Sequence, residues 1–250
     1  MSQITIWCII AAVSMTGSFI QRVTGFGYGI FTMIFFPSFL ASYGEANILT
    51  GMVSLISTFA VVIPLFKHVD WKSIVAPVIG CMISSYLAVK FMQGQSDGML
   101  KLLLGIILIL LSIYFFLFSS KIHFNPSIPA GLIVGLLSGI MNGLFSMGGP
   151  PVVVYFLGIS KDDPKKYVAT IQAYFLVTNI YSFAVKAGAG YLTMDVWKIF
   201  PFAVAGMAIG VFIGKRVFDK LNAGILKKCV YAFMAVSGII NIASTIANGL

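Results

Sequence analysis

Long apolar stretches dominate this sequence, and their length restricts the fold more than any other feature. A bilayer-crossing helix needs roughly 20 mostly apolar residues, and about eight such runs can be marked off. They cover 4–43, 46–66, 73–92, 100–119, 128–158, 167–187, 196–214 and 224–247, the first and fifth being interrupted. Charges gather in the gaps, and no gap is long enough for a soluble domain. Asp, Glu, Lys and Arg make up 9% of the 250 positions against 59% apolar, where an ordinary soluble domain is about a quarter charged. The expectation is an all-α, polytopic helical membrane protein with about eight membrane segments, forming one integral membrane domain. The opening MSQITIWCIIAAVSMTG carries no Lys or Arg ahead of its apolar run, so it reads as a retained membrane segment rather than a secretory signal.

The formal charge of +9 does not indicate nucleic acid. Its Lys and Arg residues sit at run ends, as in 67–72, 161–166 and 215–228, where they orient the chain in the membrane. Cys8, Cys81 and Cys229 are odd in number and lie inside apolar runs, a pattern for packing rather than metal ligation or disulfides. No His-Glu-x-x-His, no Ser/His/Asp set, no paired carboxylates and no Gly-x-x-x-x-Gly-Lys loop can be found. The reading is therefore non-enzymatic, with no cofactor and no metal.

The two halves resemble each other. Residues 70–90 lie over 196–216, pairing Trp71 with Trp197, Lys72 with Lys198, Gly80 with Gly206 and Lys90 with Arg216. The register continues from 96–115 onto 222–241. After a shift of about five residues, TGFGYG (24–29) falls opposite FSMGGP (145–150), giving the internal duplication of many secondary transporters. Two membrane repeats of four segments follow, 1–120 and 121–250, the first segment of each broken or re-entrant.

The breaks carry the chemistry. Gly148, Gly149, Pro150 and Pro151 interrupt an apolar run. Proline suits the first turn of a helix and not its interior, so these residues read as a restart. A half-helix starting there would direct free N–H groups and the positive dipole end at an anion. In the first half, Thr24, Gly25, Phe26, Gly27, Tyr28 and Gly29 mark the matching break, preceded by Gln21 and Arg22. Arg22 would lie about 27 Å along a helix begun near Ile4, leaving both an interfacial anchor and an anion ligand open. Irregular backbone at membrane depth needs protein or a water-filled cavity around it, so facing breaks imply a central site between the repeats. The expected substrate-binding set is Gln21, Arg22, Thr24, Gly25, Phe26 and Gly27, then Asn142, Ser146, Gly148, Gly149 and Pro150, with Gln172 and Asn179 in the sixth run. All seven carboxylates lie near run ends, which favours an anion over a cation or proton as the cargo.

With these residues in view, QRVTGFGYGIFTMIFFP (21–37) and SGIMNGLFSMGGPPVVVYFL (138–157) resemble the two signature segments of the TauE/SafE sulfite exporter family. Gln21, Thr24, Gly25, Phe26, Gly27, Gly148, Gly149, Pro150 and Pro151 match the pattern. A glycine expected just before the second glycine pair is replaced by Ser146-Met147. The resemblance implies an exporter of a small anion such as sulfite or an organosulfonate, multi-pass in the plasma membrane, with the anion and lipid as partners and homo-oligomerisation open. An anion channel and a non-catalytic partner of another membrane complex stand as alternatives. If the interrupted runs cross fully, alternate loops carry about ten versus about five Lys and Arg; if they are re-entrant hairpins, about eleven versus about four. The second arrangement makes the repeats inverted.

Overall fold

A computed structural model describes residues 2–24, 27–118, 127–160, 163–217 and 223–247. They form ten helices: α1 (Gln3–Thr24), α2 (Tyr28–Phe35), α3 (Tyr43–Leu65), α4 (Trp71–Gln93), α5 (Asp97–Phe118), α6 (Ile128–Phe145), α7 (Gly149–Ser160), α8 (Pro164–Gly188), α9 (Met194–Val217) and α10 (Ala223–Ala247). Among the described residues there is no strand. Eight helices are long and apolar enough to cross a membrane, while the apolar stretches 28–38 and 149–160 are shorter. The multi-pass helical architecture is thus as expected, with each interrupted run resolved into a span-length helix and a short one.

Local chemistry explains the helix ends. Ser127 caps α6 by accepting from the Ala130 N–H, and Asp163 caps α8 by accepting from the Lys165 and Lys166 N–H groups, each with proline in the first turn. Acidic residues begin α3, α5 and α9, and basic residues end α1, α4, α8 and α9, the charge order that the helix dipole favours. Large apolar side chains such as Ile63, Leu87, Leu117 and Phe212 are exposed, consistent with lipid as their solvent.

The chain packs as two compact units. One comprises 1–50, 94–121 and 192–250; the other comprises 51–93 and 122–191. Each draws on both halves of the sequence, so the compact bodies do not coincide with 1–120 and 121–250.

In the second unit α4 lies along α6 at backbone contact. A Cβ at Gly135 would strike Pro77, one at Gly139 would strike Cys81 and Ser84, and one at Gly143 would strike Ser85 and Ala88. The matched order of these contacts makes the two helices parallel. Ser84 ties the pair by donating to the Leu136 carbonyl (2.7 Å). Helices α7 and α8 complete a core of Ile74, Cys81, Val134, Val152, Phe156 and Tyr174. At the start of α4, the Asp70 N–H donates to Thr170 Oγ1 (3.0 Å) and the Asp70 carboxylate pairs with Lys166 (2.9 Å). The Lys166 ammonium, by hydrogen bond and charge, holds the Asp70 carboxyl below the usual carboxylate range.

The first unit repeats the device with other helices. Gly206, Gly210 and Gly214 of α9 meet Ala11, Met15 and Arg22 of α1 in order. Ser14 and Ser18 donate to the carbonyls of Ala203 (2.6 Å) and Met207 (3.0 Å). Helices α5 and α10 cross at Gly105 and Gly238, and Ser112 donates to the Tyr231 carbonyl (2.7 Å). Glu45, in the first turn of α3, accepts from Thr193 Oγ1 (2.8 Å) just before α9.

Candidate functional site

The second break is a tight reversal between α6 and α7. Helix α6 ends at Phe145, and Ser146 takes a left-handed conformation (φ 52°, ψ 34°) whose N–H returns to the Asn142 carbonyl at 3.0 Å. The bond from a left-handed residue to the carbonyl four back is an αL-type cap, and the Met147 N–H also reaches back, to the Met141 carbonyl at 3.2 Å. Helix α7 then folds back along α6. A Cβ at Gly148 would meet Ser138 Oγ at 3.0 Å and Asn142 Cβ at 3.1 Å, and further along Tyr155 reaches Gly131 and the Ser127 carbonyl. The tip packs at Ser85 and Ala88, about 20–25 Å along α4 at 1.5 Å per residue.

Helix α8 supplies what the sequence reading lacked. Lys186 is 1% exposed, and its ammonium donates to the Asn142 carbonyl (3.0 Å) and to Ser146 Oγ (2.8 Å). Two turns back toward the start of α6, Tyr174 donates to Ser138 Oγ (2.8 Å), which donates to the Gly148 carbonyl (2.5 Å). A cation thus sits on the carbonyl end of α6, where the helix dipole is negative, directly at the reversal. Asn142, Ser146, Gly148, Gly149 and Pro150 from the expected set come together here with Ser138 and Lys186. Gln172 and Asn179 are half-buried on α8. The restart itself is a weaker anion donor than the sequence suggested: Pro150 and Pro151 have no N–H, which removes two donors from the first turn of α7.

The first break lies between Thr24 and Tyr28. Gly27 has φ 112°, a conformation that favours glycine, and α2 packs back on α1 where Tyr28, Phe31 and Thr32 approach Gly17. Tyr28 and Ser14 share a hydrogen bond (2.9 Å), and Thr50 donates to Thr32 (3.2 Å). Gln21 is half-buried, while Arg22 is exposed with its stem on Gly214, three residues from the end of α9. Gly25, Phe26 and the Thr24 side chain lie outside the described residues.

Among the described residues, Lys186 and Glu45 are the only buried charged side chains. Sequence alone points to Arg22, inside its run and open between anchor and anion ligand, rather than to Lys186, which stands one residue from the end of the run 167–187.

The family model for sulfite exporter TauE/SafE matches residues 9–240. The chain belongs to that family. A Cupriavidus necator relative named "Probable sulfite/organosulfonate exporter TauE" is 24% identical over 204 residues, covering 80% of this chain and 79% of its own length. "Probable membrane transporter protein MJ0441" of Methanocaldococcus jannaschii is 26% identical, covering 67% of each chain. "Probable membrane transporter protein YdhB" of Bacillus subtilis is 23% identical, covering 79% of this chain and 75% of its own. No solved structure matches. Family membership and eight span-length helices together make this TauE/SafE chain a multi-pass membrane transporter.

Proposed function

We propose that this transporter exports a small sulfur oxyanion, sulfite or an organosulfonate, across the plasma membrane. The observation that carries the reading is a glycine-flanked hairpin tip about 20–25 Å along a span-length helix, with a buried ammonium on it. Irregular backbone in hydrocarbon is tolerated only where protein or a water-filled cavity surrounds it, and discontinuous helices are where many secondary transporters hold substrate. The name of the Cupriavidus relative supplies the substrate class. An inside-negative potential drives an anion outward by about 2.3 kcal/mol per charge per 100 mV, so export needs no coupling ion.

The chain direction supports re-entrant hairpins. In the second unit α4 and α6 run parallel and the starts of α4 and α8 are bonded at Asp70, so the stretch 146–163 returns the chain to the side from which α6 set out. In the first unit α1 and α9 run parallel and Thr193 is bonded to Glu45, so 25–42 does the same after α1. Three span-length helices, α3, α4 and α5, lie between the hairpins along the chain, the odd number of crossings that an inverted duplication requires.

Flux of sulfite and organosulfonates into liposomes holding the purified chain tests the function. Saturable flux is expected, lowered at least ~10-fold by Gly148→Leu, because a side chain there enters the space of Ser138 and Asn142 and misplaces the site. Gln21→Ala and Arg22→Ala report on the first break. Flux that rises without saturation would identify a channel, and no flux of any sulfur oxyanion would overturn the proposal.

A further inference from the structure

We infer that Tyr174 is a positioning residue for anion transport: through Ser138 its hydroxyl fixes the Gly148–Gly149 peptide at the α6–α7 tip, and so aims the Gly149 N–H at the cargo. This rests on the anion-transport reading above and goes further, since it assigns what orients the donor that the second half-helix offers.

Pro150 and Pro151 carry no N–H, so Gly149 holds the one backbone donor among the first three residues of α7. Its direction is set by the peptide it belongs to. The Gly148 carbonyl accepts from Ser138 Oγ at 2.5 Å, which turns that oxygen toward α6. No peptide bond among the described residues is cis, and in a planar trans peptide the C=O and the following N–H point opposite ways. The Gly149 N–H is therefore directed away from α6. The two glycines differ in their surroundings accordingly. A Cβ at Gly148 would press on Ser138 and Asn142, whereas among the described residues one at Gly149 would meet only the end of the Phe175 ring, at 3.6 Å. Gly149 is also part-exposed, so space remains at the residue that carries the donor.

A serine hydroxyl has one proton and two lone pairs. Ser138 gives its proton to the Gly148 carbonyl, so a second group can hold Oγ in place only by donating to it, and Tyr174 does so at 2.8 Å. Tyr174 is fully buried, and its ring packs on Phe156 and Phe175 with centroids 5.6 Å away in each case. The hydroxyl thus stands at the end of a fixed ring. The chain from Tyr174 through Ser138 to the Gly148 carbonyl joins α8, α6 and the opening of α7, and hydrogen bonds in such a chain polarise one another.

The test is saturation kinetics in liposomes holding the full chain, run with sulfite and with isethionate. Tyr174→Phe keeps the ring and removes only the hydroxyl. It should raise the KM about 10-fold, the lower end of what a hydrogen bond to a charged group is worth. Maximal flux should stay within about twofold of wild type, the split expected when binding alone is weakened. Ser138→Ala breaks the chain one link on and should raise the KM at least as far. The double variant should be no worse than Ser138→Ala, because residues acting through one network are not additive. Melting curves and size-exclusion profiles show whether the variants fold, and Ser138→Ala carries the test if Tyr174→Phe does not. Thr178→Val is the control: it removes a buried hydroxyl that donates to the Tyr174 carbonyl of its own helix (2.9 Å) and should leave the KM unchanged. An unchanged KM in the folded Tyr174→Phe, additive effects in the double variant, or an equal rise in Thr178→Val would overturn the positioning role while leaving anion transport intact. Absence of flux for every sulfur oxyanion would overturn both.

Discussion

Ser146 shows how one residue can be held against its own backbone preference. A non-glycine residue in the left-handed region costs roughly 1–2 kcal/mol, and Ser146 stands where the family resemblance led us to expect glycine. What offsets the strain is the hydrogen bond to the Lys186 ammonium at 2.8 Å, of a class worth about 1.5–3 kcal/mol. Ser146→Gly should therefore leave stability within about 1 kcal/mol of wild type, the two effects nearly cancelling, while anion flux falls because Lys186 loses the hydroxyl that positions it. Melting curves alongside liposome flux separate the two; a large stability change with normal flux would assign Ser146 to the cap alone. Lys186 was not legible in the sequence, since a lysine one residue from the end of an apolar run reads as an interfacial anchor. Its burial depends on α6 ending beside it, and no local pattern records that.

Among the elements, the α6–α7 hairpin was legible in part. Adjacent prolines after a glycine pair mark a restart whatever the surroundings, so the break near 148–151 could be placed. That α6 stops at Phe145 and reverses through Ser146 could not be read, because the cap depends on Ser146 adopting a conformation serine seldom takes. Which helix grips the hairpin was also hidden: α4, from the other half of the sequence, lies on it through Gly135 and Gly139. The glycines were visible, but in membrane helices they mark close approach without naming the partner. At Gly135 an added side chain meets the Pro77 backbone rather than a flexible group. Gly135→Val should destabilise by about 3 kcal/mol or more, the upper range of overpacking, whereas Ile133→Leu on the exposed face should be nearly silent. Thermal unfolding in detergent distinguishes them, and a stable Gly135→Val would mean that α4 and α6 separate easily.

For the molecule as a whole, orientation follows from combining chain direction with charge. With both interrupted runs as hairpins, the loops at 66–72, 161–166 and 215–228 share one side and 90–101 lies on the other, so about eleven Lys and Arg face about four, and the richer side is cytoplasmic. With both runs crossing fully, 66–72 and 90–101 exchange sides while 161–166 stays inside. Three positions therefore decide the matter. In a chain with Cys8, Cys81 and Cys229 replaced by serine, Lys67→Cys, Ser96→Cys and Lys165→Cys place thiols at residues exposed in the structure. A membrane-impermeant maleimide applied to intact cells should label Ser96→Cys and spare the other two until the membrane is opened. Labelling of Lys67→Cys with protection of Ser96→Cys would show that the runs cross fully and would remove the inverted relation between the repeats. Charge alone separates the arrangements by about one residue, too little to fix the topology; the parallel packing of α1 with α9 and of α4 with α6 is what favours the hairpins, because it requires each break to send the chain back the way it came.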